Sequence, residues 1–124
     1  MKKTAFPRRA LQGMLLLVVA LGLAGCDEDD YDHSPPAGQG SLIVDNRTSS
    51  DVRVYVDSQY LGTTGDWNDS AFDLAPGYHR LVLDEKDGYG YYAADIDILE
   101  GHLLVAEIRP GNSPYFFDVF LWLD

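Results

Sequence analysis

The chain holds a single cysteine, Cys26, among its 124 residues. An internal disulfide is therefore excluded, and so is a thiolate metal cage, which needs several such ligands. Basic residues are scarce: nine Lys and Arg stand against 20 Asp and Glu, a formal net charge of −11. A surface of that sign repels phosphate, so no nucleic acid partner is expected, and anionic lipid headgroups are disfavoured for the same reason. A long apolar run is also missing. The richest stretch, Met14 to Leu23, is about half of the roughly 20 residues a spanning helix needs, and the carboxylates of "CDEDD" follow it closely. The parts of an enzyme are lacking too: there is no Gly-x-Ser-x-Gly elbow, no His pair at ligand spacing and no phosphate loop. Asp95 and Asp97 share one exposed face of a predicted strand, whereas a general acid needs a desolvated carboxyl. No catalytic residue is assigned, and a non-enzymatic protein is expected.

What the chain does have begins at its amino end. Lys2, Lys3, Arg8 and Arg9 precede the apolar run, and Ala24 and Gly25 close it. That order reads as a secretory signal over residues 1–25. "LAGC", Leu23 to Cys26, resembles the lipobox of bacterial lipoproteins. The resemblance implies that the Cys26 thiol takes a diacylglyceryl group and that the peptide is then cut before it; an ordinary signal that keeps a cysteine is the plainer alternative. All 20 acidic residues follow that cut while four of the nine basic ones precede it, so the exported chain carries about −15. Its hold on a membrane must come from acyl chains, at about 0.8 kcal/mol per buried methylene. Asp27, directly after the lipidated position, resembles the retention signal of enteric lipoproteins, which implies the inner membrane facing the periplasm; the outer membrane is the alternative.

Residues 26–40 combine acid, proline and glycine without an apolar period, and read as a disordered tether. His33 within it has no second ligand at a defined spacing and receives no role. From residue 41 to 124 the pattern turns to alternation. Val52, Val54 and Val56 oppose Arg53, Tyr55 and Asp57, and similar strands follow in "AFDL", "YHRLVLDE", "YYAADIDI", "HLLVAEIR" and "YFFDVFLWL". With "SLIVDN" this makes about seven short strands with turn residues between them, which predicts an all-β fold, a small antiparallel β-sandwich.

"VYVDSQYLG" (Val54 to Gly62), "LAPGYHRLVL" (Leu74 to Leu83), Gly88-Tyr89 and "DIDILEGH" together resemble the PEGA-type domain, over about Gly40 to Arg109. The four letters that name that family are absent, "TGDWND" is inserted after the hairpin, and a final strand is added. The resemblance implies an all-β envelope module with a binding or spacing role and no catalytic site. The residues themselves read structurally. Gly62, Gly77 and Gly88 fall where hairpins call for positive φ, and Pro76 presets a turn. His79 alternates with Leu81 and Leu83, so it faces inward and bonds a turn carbonyl, while His102 reads as a surface residue.

Two binding readings remain. One is calcium: Asp66, Asn68, Asp69 and Ser70 in "GDWNDSAFD", with Asp84, Glu85 and Asp87 in "DEKDG", offer hard oxygen ligands, although neither stretch has the glycine and glutamate places of an EF-hand loop. A solvated polar loop is the alternative. The other is an aromatic recognition face for an envelope protein or a peptidoglycan glycan. Tyr55 and Tyr91 are placed outward, with Trp67 on a loop, and such rings suit sugars and protein partners alike; tyrosines that merely pair across strands are the alternative. In the last strand, Tyr115, Phe117, Val119, Leu121 and Leu123 should face the core. Phe116, Phe120 and Trp122 share the opposite face with Asp118 and Asp124, and something should cover them: the "TGDWND" loop, a partner, or a second copy.

Overall fold

The computed structural model describes residues 31–124, so the signal segment, Cys26 and Asp27 lie outside the described residues. The unit His33–Asp124 contains eight strands: β1 Gly40–Asn46, β2 Val52–Val56, β3 Gln59–Thr64, β4 Asp69–Leu74, β5 Gly77–Glu85, β6 Tyr91–Ile98, β7 Leu103–Arg109 and β8 Asp118–Leu123. They form two four-stranded sheets, ordered β4-β1-β7-β8 and β3-β2-β5-β6. Between the sheets lie Leu42, Val44, Val52, Val54, Leu81, Leu83, Ile96, Ile98, Leu104 and Ile108, all buried. These are the alternate residues of their strands, as a two-sheet core requires, and each such side chain contributes about 1.5–3 kcal/mol by leaving water.

The β-sandwich is thus as the alternation predicts, with two differences. The additional strand is β3. Its sequence, "QYLGTT", has no apolar alternation because most of the strand is exposed at a sheet edge. It forms because Asp57 and Ser58 both take positive φ, 52° and 69°, and close a two-residue turn between Val56 and Gln59. Two consecutive positive φ values define the type I′ turn whose twist matches a hairpin. The second difference is that β1 and β7 pair in parallel, Ser41 beside Leu103 through Asn46 beside Ile108. After β1 the chain crosses to the other sheet for β2 and β3, returns for β4, and crosses again for β5 and β6 before β7 arrives beside β1. Both central strands are buried on both faces, as parallel neighbours usually are.

The glycines divide. Gly62 (φ 152°) sits beside the β2–β3 register shift rather than in the turn, and Gly77 (φ 121°) opens β5. Gly88 is not among the positive-φ residues; a Cβ there would lie 2.4 Å from the Glu85 carboxyl, which would have to shift. The described end of the segment read as a tether makes contacts with the sheets. His33 Nε2 lies 2.8 Å from Asp73 Oδ1 and 3.1 Å from Ser41 Oγ, and Gln39 N donates to Pro36 O. His33 is therefore held to β1 and β4, and Gln39 O accepts from Gly101 N in the turn between β6 and β7.

The chain's last strand is shorter than its alternation predicts, starting at Asp118. Tyr115 is not in the core: it is exposed, its ring 5.8 Å from that of Tyr89. Phe117 packs on the core, against Gly90, where a Cβ would meet the ring at 2.7 Å. Leu121 and Leu123 register with Ala106 and Leu104 on the inner face but remain 39% and 51% exposed. β8 is a sheet edge, and one flank of each side chain goes uncovered.

Candidate functional site

Because the valines of β2 and Leu81 and Leu83 of β5 point into the core, the intervening residues stand on the outer face of the β3-β2-β5-β6 sheet. The register then sets them side by side. Tyr60, Tyr55, Val82 and Ala93 make one row across the four strands; Arg53, Asp84 and Tyr91 make the next. Tyr55, Ser58, Val82, Asp84 and Tyr91 line a shallow depression of about 330 Å³. Val82 is short and its two tyrosine neighbours are long, so the floor is apolar and the walls are aromatic. Several contacts fix this geometry. The Tyr55 and Tyr60 rings are tilted against each other at 5.5 Å, the Tyr60 hydroxyl is 2.6 Å from Thr63 Oγ1, and Arg53 Nη2 donates to Asp84 Oδ2 at 2.6 Å. An exposed platform of this kind offers ring faces for stacking, with phenol and carboxylate oxygens at the rim for hydroxyl groups.

Tyr55 and Tyr91, assigned outward from alternation, are thereby brought into one depression although 36 positions separate them in the chain. The remaining candidates lie elsewhere. Trp67, at φ 56°, is 66% exposed on the β3–β4 turn. That turn is held to the β1–β2 loop, Trp67 N donating to Thr48 O at 3.2 Å and Asp66 N to Asp51 Oδ1 at 3.1 Å; it leaves Phe116 and Phe120 63% and 51% exposed. Trp122 is half-buried beside Val105 rather than displayed.

The residues read as calcium ligands are not gathered in one place. Asp66, Asp51 and Asp87 approach a common hollow with Ser49 and Ser50, but among the described residues there is no group of three or more His, Cys, Asp or Glu that could hold a metal ion. Asp69 is on β4 opposite Asp45, and the Asn68 Nδ2 donates to Asp66 O at 3.2 Å.

His79 does face inward and bond a turn carbonyl. Its Nε2 lies 2.7 Å from Ala75 O and its Nδ1 2.6 Å from Asp57 Oδ2, while Arg80 N donates to the other Asp57 oxygen at 2.9 Å. A carbonyl can only accept, so Nε2 carries a proton; the carboxylate favours one on Nδ1 as well. The Ala75 carbonyl first and Asp57 second hold the imidazole pKa above its usual value. Arg80 N and then His79 hold Asp57 below the usual carboxylate range. The side chain thus ties the β2–β3 turn to the β4–β5 turn.

The alternation of apolar residues gives no sign of Asn46. Wholly buried, it donates from Nδ2 to Ser50 O (2.7 Å), Gly65 O (3.1 Å) and Thr64 O (3.3 Å), and its Oδ1 accepts from Thr48 N (3.1 Å) and Thr48 Oγ1 (2.7 Å). This one amide organises the β1–β2 loop against the end of β3. The turn-forming composition of "DNRTSSD", rich in Ser, Thr and Asp, is the signal for it in the sequence.

No family model matches the chain, and no curated protein does. Among solved structures, the N-terminal domain of AlgF from P. aeruginosa is similar in fold, with a TM-score of 0.54 and 17% identity, over 72% of this chain and 96% of that one. At that identity the likeness concerns the fold alone.

Proposed function

We propose that this chain is a lipid-anchored, non-catalytic binding module of a bacterial cell envelope, held by acyl groups on Cys26, and that its ligand is a glycan seated on the Tyr55–Val82–Tyr91 face. The observation that carries this reading is the convergence of two outward tyrosines from β2 and β6 over a short apolar floor. Tyr55 already has a cross-strand ring partner in Tyr60, whereas Tyr91 stands two strands from Tyr55, with β5 between them, so the two rings bound the depression without pairing with each other. The Arg53–Asp84 pair at the rim adds polar groups that can exchange bonds with sugar hydroxyls. The lipobox-like "LAGC" and the acidic exported chain support an extracytoplasmic place, and Asp27 favours the inner membrane facing the periplasm. The PEGA-like motifs fit a small β-module serving there, and the AlgF domain shares its fold.

The test is retention of the full-length chain on purified peptidoglycan. The Tyr55→Ala, Tyr91→Ala double variant should lose about tenfold in affinity, two stacking contacts being worth at least the 1.4 kcal/mol that factor represents. Equal retention of the variant and the wild type would refute a glycan site on this face.

A further inference from the structure

Each sheet of the sandwich has two edge strands, and an unprotected edge invites a further strand. Three of the four are guarded. β3 is interrupted by a bulge opposite Val54 and Tyr55, β4 carries Asp69 and Asp73 and is met by His33, and β6 carries Asp95 and Asp97. In β8 the run Val119-Phe120-Leu121-Trp122-Leu123 contains no charge and no proline, and its pairing with β7 is regular from Asp118 to Leu123. Asp124 N donates to Leu103 O at 2.8 Å, which makes Asp124 and Leu103 a hydrogen-bonded pair. By antiparallel alternation Trp122, Phe120 and Asp118 also spend their backbone groups on β7. The N–H and C=O groups of Val119, Leu121 and Leu123 therefore point away from the sheet, and among the described residues no strand receives them.

We infer that β8 is a strand-addition site for an extended segment of a partner protein, about seven residues long, apolar or β-branched in the middle and basic at both ends. Three features specify that occupant. The outward backbone groups fix it as a strand. The exposed flanks of Leu121 and Leu123 on one face and Phe120 on the other require apolar or β-branched residues opposite both faces; Phe120 is already steadied by the Arg109 guanidinium 5.3 Å above its ring. Asp118 and Asp124 bracket the run six positions apart, about 20 Å along a strand, and by parity they lie on one face. A Lys or Arg at each end of the incoming segment would meet them. The chain's large acidic excess favours such a partner over a second copy of itself, since two like-charged copies repel.

The experiment titrates the full-length chain in detergent with a fluorescein-labelled peptide, Lys-Val-Thr-Val-Thr-Val-Lys, read by anisotropy, against its counterpart with Glu at both ends. The Lys-ended peptide should bind at least about tenfold more tightly. Exchanging Asp118→Lys and Asp124→Lys together should reverse that preference. Leu121→Pro should abolish binding of both peptides while the circular dichroism spectrum stays unchanged, because the N–H it removes is one that β7 does not use. Should that proline variant fail to fold, the charge exchange decides alone. No binding by the wild type, equal binding of the two peptides, or a preference indifferent to the charge exchange would overturn the assignment. So would a wild-type dimer in sedimentation that Leu121→Pro converts to monomer, since the occupant would then be a second copy.

Discussion

Replacing His79 with Gln removes a cation whose two nitrogens face a carbonyl and a carboxylate, and the consequence should depend on pH in a defined way. The Asp57 side of the contact is open to solvent and is assigned no energy. The imidazole is only 14% exposed, but the Ala75 carbonyl it bonds is open to solvent, so the contribution of a hydrogen bond from a charged donor, about 1.5–3 kcal/mol, is reduced by competition with water. Gln can recover part of what is left, so a net loss of about 0.5–1 kcal/mol is expected, or about 2–8 °C in thermal midpoint for a domain of this size. Because the folded pKa of His79 is raised above its unfolded value, its contribution is fully present below about pH 6.5 and disappears as pH rises through the folded pKa. Asp57 behaves oppositely: its folded pKa is lowered, so its contribution is present above about pH 4 and disappears as pH falls through the folded value. Thermal melts of wild type and His79→Gln across pH 4 to 9 give a difference curve from which the other carboxylates cancel. That difference should be largest between about pH 4 and 6.5 and shrink on the alkaline side. A difference constant from pH 5.5 to 9 would show that His79 contributes by packing alone and is not charged in the folded state.

Asn46→Ala should cost about 3 kcal/mol, since it strips bonds from several buried backbone groups at once; chemical denaturation measures it, and a loss below about 1 kcal/mol would mean that water replaces the amide. Cys26→Ser should leave the protein as uncleaved precursor or release it from the membrane fraction; a variant that stays wholly membrane-bound after a high-salt wash would refute lipid anchoring.

Local chemistry determined a good deal of this protein. Alternation assigned the inward valines of β2 and the inward leucines of β5, and with them the outward places of Tyr55, Arg53 and Asp84, because a strand's side-chain period is two whatever its neighbours are. It also placed His79 beside the turn carbonyl that it bonds. Neighbour relations are another matter. Nothing in the order of residues says that β1 lies parallel to β7, that Tyr91 stands beside Asp84, or that the fifteen positions from Asp51 to Asp66 close into a hydrogen bond. Strand pairing is decided by which apolar faces bury together and by loop closure, both properties of the whole chain. Edge strands show the limit most plainly. β3 was illegible because an exposed edge needs no apolar period; β8 was legible, but its purely apolar face was assigned to the core when half of that face overhangs it. A hydrophobic pattern records that a side chain avoids water, and only the tertiary arrangement decides whether the rest of the chain, or something else, provides the cover.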